Sequence, residues 1–139
     1  MSLAPANSNE PSSGPLRLLA VDDNFESAEL IARIGTACGY ETKPVTDPRT
    51  IPEILEDWKP QVVTLDLCMP YKDGFSILTT LQEVGFKGSL IVISGQNDWL
   101  RKAACQLAEV NGIEVTSHLQ KPINLRALRD LLNTIRLVG

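Results

Sequence analysis

Five short strand-like segments, three of them compact apolar runs and the second and fifth weaker and more polar, alternate along this chain with five stretches of helical spacing, and no other feature restricts the fold so tightly. The segments are Leu16–Val21, Glu41–Val45, Val62–Asp66, Ser89–Ile93 and Val115–Leu119. Between them, apolar residues recur at intervals of three and four: Leu30, Ile31, Ile34, Ala37 and Cys38, then Ile51, Ile54, Leu55 and Trp58, then Ile77, Leu78, Leu81 and Val84. Leu100, Ala103, Ala104, Leu107 and Ala108 form the fourth such set, and Leu125, Leu128, Leu132 and Ile135 the fifth. Parallel strands need long crossovers, normally helices, and right-handed crossovers put helices on both faces of the sheet. The expectation is an α/β fold with a five-stranded, doubly wound parallel sheet and five helices.

Local signals agree. Gly39 stops the first helix, Asp47-Pro48 is a cap followed by a first-turn proline, Asn111-Gly112 closes the fourth helix and Asn124 caps the fifth. Pro52 predicts a short or irregular second helix, and Pro44 suits the second strand to a sheet edge. The third helix is expected over Gly74 to Val84. Trp58 sits at core spacing, whereas the position of Trp99 suits either core cover or an exposed contact.

A length of 139 residues suits one domain with one full core. Residues 1–15, rich in Pro, Ser, Asn, Ala and Gly, read as a flexible segment ahead of a folded domain over 16–139. The net charge of -4 gives no electrostatic reason to expect nucleic-acid binding. Cys38, Cys68 and Cys105 are odd in number and form no CxxC pair, which argues against a disulfide framework or zinc site and for a reducing cytoplasm. No stretch resembles a signal peptide or a membrane span, so the expectation is a soluble, cytoplasmic chain.

In an open parallel sheet the chemistry lies where strands end. Asp22 and Asp23 follow the first strand, Asp66 ends the third, Ser94 ends the fourth and Lys121 follows the fifth. Converging carboxylates raise one another's pKa unless a cation intervenes, and a hard divalent ion such as Mg²⁺ suits an oxygen-only set. Lys121 can hold an anion's oxygen and Ser94 can donate to another. These residues together suit a phosphoryl group, with one carboxylate left to attack it.

The acidic pair Asp22-Asp23, the block Asp66-Leu67-Cys68-Met69-Pro70-Tyr71-Lys72-Asp73-Gly74, Ser94-Gly95 and Lys121-Pro122 resemble, in order and spacing, the receiver domain of bacterial two-component response regulators. The resemblance covers about residues 16–137 and implies the flavodoxin-like strand order 2-1-3-4-5. By it, Asp66 is the phosphoacceptor, Asp23 a direct Mg²⁺ ligand, Asp22 an indirect one that acts through water or by supporting the direct ligands, and the Cys68 main-chain carbonyl a further ligand. It makes Ser94 the switch hydroxyl and Lys121 the group that binds phosphoryl oxygens, and it implies a cis Lys121–Pro122 peptide.

The partners implied are a sensor histidine kinase or phosphotransfer protein and an output domain or effector. The surface that switches is that of helix four, strand five and helix five, with room for a homodimer through it. The chemistry is self-phosphorylation and autodephosphorylation rather than enzymatic turnover of other substrates.

This chain departs from the family in three places. His118 stands three residues before Lys121, where the family usually has Tyr or Phe, and a smaller imidazole predicts looser coupling of the switch. Its alternative role is that of a half-buried strand histidine. Cys68 and Gln96 occupy the positions that tune the lifetime of the phosphoryl group, and Ser94 replaces the more frequent threonine.

Rival functions are less well served. A flavodoxin-like carrier must cradle phosphate after the first strand, where Asp22 and Asp23 repel it. A phosphatase of the haloacid dehalogenase type needs a second Asp two residues after the nucleophile, where Cys68 stands. A docking module that no longer uses phosphorylation is the alternative that a labelling experiment must separate.

Overall fold

The strand-like segments pair as one parallel sheet in this computed structural model, which describes residues 14–67, 71–95 and 98–138; the side chains of residues 71–75, 98, 100 and 138 lie outside that description. In chain order the elements are β1 (Arg17–Val21), α1 (Phe25–Ala37), β2 (Glu41–Val45), α2 (Ile51–Asp57, entered through a 3₁₀ turn at Pro48–Thr50), β3 (Val62–Asp66), α3 (Tyr71–Glu83), β4 (Ser89–Ser94), α4 (Asp98–Val110), β5 (Val115–Gln120) and α5 (Leu125–Val138). The sheet order is β2-β1-β3-β4-β5, with β2 and β5 at the edges. Every neighbouring pair is parallel, as the expected order 2-1-3-4-5 requires.

The central strands are buried on both faces, so successive residues serve opposite sides. Leu19, Val21, Val63, Leu65, Leu90 and Val92 pack with Ile51 and Leu55 of α2, Ile77, Leu78 and Leu81 of α3, and Ala104 and Ala108 of α4. Leu18, Ala20, Val62, Ile91 and Ile93 pack on the other face with Ile31 and Ile34 of α1 and Leu128 and Leu132 of α5. β5 alternates between half-buried and exposed positions, as suits an edge strand with a polar side.

Several local expectations need correction. Leu30 is 43% exposed and Ala37 is also exposed, whereas Ala28, Ala32 and Gly35 face the sheet. The stripe is rotated because α1 approaches closely: a Cβ on Gly35 would lie 2.5 Å from Leu18 Cδ2 and 2.9 Å from Thr42 Cγ2. Leu125 is 41% exposed in the first turn of α5. α3 begins at Tyr71, earlier than the Gly74 start expected from composition. Trp99 is the exposed contact of its two options, at 70% exposure.

Trp58 is partly buried against the core, with Arg17 and Lys43 set 5.6 and 5.1 Å from its ring centroid. At the strand-start edge, Gln61 joins three strands. Its side-chain Oε1 accepts from Arg17 N at 2.7 Å, its N–H donates to Arg17 O at 3.0 Å, and its carbonyl accepts from Ser89 N at 2.9 Å. Gly88 follows the same close approach, since a Cβ there would collide with Gln61 O.

Candidate functional site

β1 and β3 are adjacent, so the residues ending them meet at one edge. Asp22 follows β1, where its N–H continues the ladder by donating to Val45 O at 3.1 Å. Asp23 is turned outward and exposed. Asp66 is the last residue of β3, paired in register with Ile93 of β4. One carboxylate oxygen from each of Asp22, Asp23 and Asp66 lies within 4.8 Å of the other two. Asp22 and Asp66 are fully buried and Ser94 is 4% exposed.

Lys121 reaches this group from the other side. Its N–H donates to Ser94 O at 2.7 Å, which continues the pairing of β4 with β5, and the Lys121–Pro122 peptide is cis. Its ammonium donates to Asp66 Oδ2 at 3.0 Å and to Asp22 Oδ2 at 3.2 Å. Asp22 Oδ1 accepts from Asn24 N at 2.9 Å, while the Asn24 side chain accepts from Ser27 N at 2.9 Å and so caps α1.

Burial is the main force on Asp22; with the nearby Asp66 it pushes the carboxyl above the usual carboxylate range, against the Asn24 N–H and Lys121. Burial likewise acts to lower the Lys121 ammonium, but hydrogen bonding and attraction to Asp66 and Asp22 outweigh it, and the net shift is upward. Two of the three carboxylates, Asp22 and Asp66, therefore share one ammonium. The donor set is all oxygen and retains negative charge, so it fits a small hard divalent cation.

Asp22, Asp23, Asp66 and Lys121 are thus brought together, with Ser94 beside them. Cys68 and Gln96 lie outside the described residues. His118 stands apart from the carboxylates: it is exposed on β5, not half-buried, and lines a cavity with Ser94, Arg101, Leu119 and Gln120.

Sequence reasoning missed three polar residues in or near the site. Asn24 was signalled by its place between the acidic pair and the first helical residue. Thr64, two residues before Asp66, is buried with its hydroxyl unpartnered among the described residues. Its signal was a lone hydroxyl in an apolar run. Arg101 left none, because a single arginine on a helix reads as a solvated face.

Comparison with known proteins matches the same segment. The model of the response regulator receiver domain family matches residues 18–133. Response regulator MprA of Mycolicibacterium vanbaalenii is 27% identical over 124 residues, covering 88% of this chain and 49% of that protein, so this chain spans about half the length of that relative. A response regulator from Colwellia psychrerythraea superposes with a TM-score of 0.80 at 28% identity, covering 89% of this chain and 98% of that one. A signal receiver domain from Bermanella marisrubri gives 0.69 at 27% identity, over 86% and 96% of the two chains. With one carboxylate-lined sheet edge, the expected strand order and a family match over most of its length, the chain belongs to the response regulator receiver domain family.

Proposed function

We propose that Asp66 accepts a phosphoryl group from a phosphohistidine on a sensor kinase or phosphotransfer protein, and that its phosphorylation switches the surface of α4, β5 and α5. The observation that carries this reading is the pairing of the buried Asp66 carboxylate with Lys121 at 3.0 Å, inside a cluster of three carboxylates. A carboxylate at the end of a central strand is a nucleophile held in fixed position, and the ammonium beside it is ready to receive an anion.

In this reading Asp22, Asp23, Asp66 and the Cys68 carbonyl would hold Mg²⁺, with Asp22 in an indirect role. The ion supplies charge neutralisation for a dianionic phosphoryl group. One Asp66 oxygen attacks phosphorus and forms the new O–P bond; the P–N bond to the donor imidazole breaks, and that nitrogen leaves with the electron pair. Lys121 then shifts its donors from the carboxylates to a phosphoryl oxygen, and the Ser94 hydroxyl donates to another. The folded receiver domain is assigned to residues 16–139, with an output domain or effector as the downstream partner and the cytoplasm as its compartment. Cys38 and Cys105 are free thiols, which supports that compartment.

The switch follows from the shared cavity. Drawing Ser94 toward Asp66 enlarges the space that His118 lines. An exposed imidazole fills that space less completely than a phenol ring, so the coupling between site and surface is looser than with Tyr.

Incubation with acetyl phosphate and intact-mass measurement tests the acceptor. The expected result is one added phosphoryl group with Mg²⁺ present, and none after metal removal or in Asp66→Asn. Equal labelling after metal removal or in Asp66→Asn would sink the reading, and no labelling under any condition would favour a docking module.

A further inference from the structure

The cavity between α4 and β5 has a volume of about 390 Å³ and is lined by Ser94, Arg101, His118, Leu119 and Gln120. His118 and Gln120 are exposed at its rim, while Ser94 is 4% exposed. Its polar groups are one guanidinium, one imidazole, one carboxamide and one hydroxyl, all able to donate hydrogen bonds, and its lining holds no carboxylate among the described residues. Arg101 interacts with a neighbour, and its guanidinium carries five N–H donors in a planar fork, enough to engage an anion alongside that neighbour. Ser94 thus lines a donor-rich cavity while the strand it ends is paired with that of Asp66, whose cluster of carboxylates repels anions.

We propose that this cavity is an anion site in its own right, taking a small oxyanion, a carboxylate or a phosphate, with Arg101 and His118 as its principal donors. Gln120 and Ser94 complete the ring of donors. β5 is an edge strand, so the cavity opens to solvent and a small solute reaches it without disturbing the sheet. A second consequence rests on the phosphoacceptor reading. The Ser94 hydroxyl has one proton to donate, so an anion held here competes with the phosphoryl group on Asp66 for it. The two ligands are then negatively coupled, each weakening the other by the same factor.

The test uses the full chain, free of metal, so that unshielded carboxylates keep anions away from Asp66. Potassium phosphate and sodium acetate are titrated separately at constant ionic strength, with chloride as the reference, and amide and imidazole resonances are followed by NMR. The expected result is saturable movement at Arg101, His118 and Gln120, about tenfold weaker in Arg101→Gln and weakened also in His118→Gln, in line with loss of one charge-assisted hydrogen bond. Saturation by phosphate alone assigns a phosphate ligand, and saturation by acetate assigns a carboxylate. Shifts no larger than those from chloride, shifts unchanged in both variants, or shifts centred on Lys121 overturn the site.

Labelling of Asp66 by phosphoramidate with Mg²⁺ is measured in parallel. Saturating acetate should lower it about fivefold in the native chain and little in Arg101→Gln; equal loss in both removes the coupling. A chain that labels but shows no saturable shift refutes only the cavity, and one that binds anion but never labels refutes only the phosphoacceptor reading.

Discussion

Asp22 is the residue on which the site's charge balance turns. It is fully buried, its carboxyl is pushed upward by burial and by Asp66, and it still accepts from both Asn24 and Lys121. An acid whose pKa is raised by folding binds its proton more tightly in the folded chain. Its contribution to stability therefore falls as pH rises from the unfolded value of 3.8 through the raised folded value. Lys121 titrates far from this window: its raised pKa gives stability that is complete below 10.5 and lost as pH climbs through the folded value. Asp22→Asn cannot ionise, so in metal-free protein its melting temperature should gain on the native chain as pH increases from about 4 to about 7. At this size each kcal/mol recovered is worth roughly 3–5 °C, and calorimetry at several pH values reads it. With Mg²⁺ added, Asp23→Asn should lose more of the metal-induced stabilisation than Asp22→Asn. Asp23 is the exposed member of the cluster, whereas Lys121 and the Asn24 N–H engage Asp22 and so compete there with a cation. An unaltered metal response in Asp23→Asn would reject its role as direct ligand.

Helix α1 shows at the element scale what periodicity conveys and what it omits. Spacings of three and four locate the helix, and Ile31, Ile34 and Cys38 are buried as expected. They do not fix its rotation when the true contact face is small: Ala28, Ala32 and Gly35 meet the sheet, and Leu30 is turned away. In α5, Leu128 and Leu132 are fully buried, but Leu125, at the first position of the helix, is 41% exposed. Strands were more legible, since a continuous run such as Leu90–Ile93 is buried on either face. The carboxylates and Lys121 were legible for the same reason, as a polar residue ending such a run can only emerge at the edge. Asn24, Thr64 and Arg101 were not, because single polar residues in turns, strands and helices have many ordinary roles. Gly35→Ala checks the close approach. Helix propensity alone favours alanine by about 1 kcal/mol, but the contact with the fully buried Leu18 should reverse the sign and destabilise by about 1–3 kcal/mol. Urea unfolding decides it, and a stabilised variant would show that α1 can move off the sheet without loss.

Across the whole molecule, both core layers lie between β1 and the end of α5, and the family match covers 18–133. Removing residues 1–15 should therefore leave the melting temperature within about 2 °C, a change under 1 kcal/mol at this size, and leave acetyl phosphate labelling intact. A larger drop would assign part of the stability to that segment. Among the described residues no helix is long and apolar enough to cross a membrane. The sheet's two ends are fastened differently. At the strand-start end, Gln61 ties β1, β3 and β4 by hydrogen bonds of 2.7 to 3.0 Å, with Gly88 pressed against its backbone. At the opposite end, Asp22 and Asp66 are joined through the ammonium of Lys121, a side chain that is 27% exposed and so open to competition from water. Thermal opening thus has a direction: amide protons at Arg17, Gln61 and Ser89 exchange with solvent late, and the molecule loosens first from the acidic rim, like a book held at its spine.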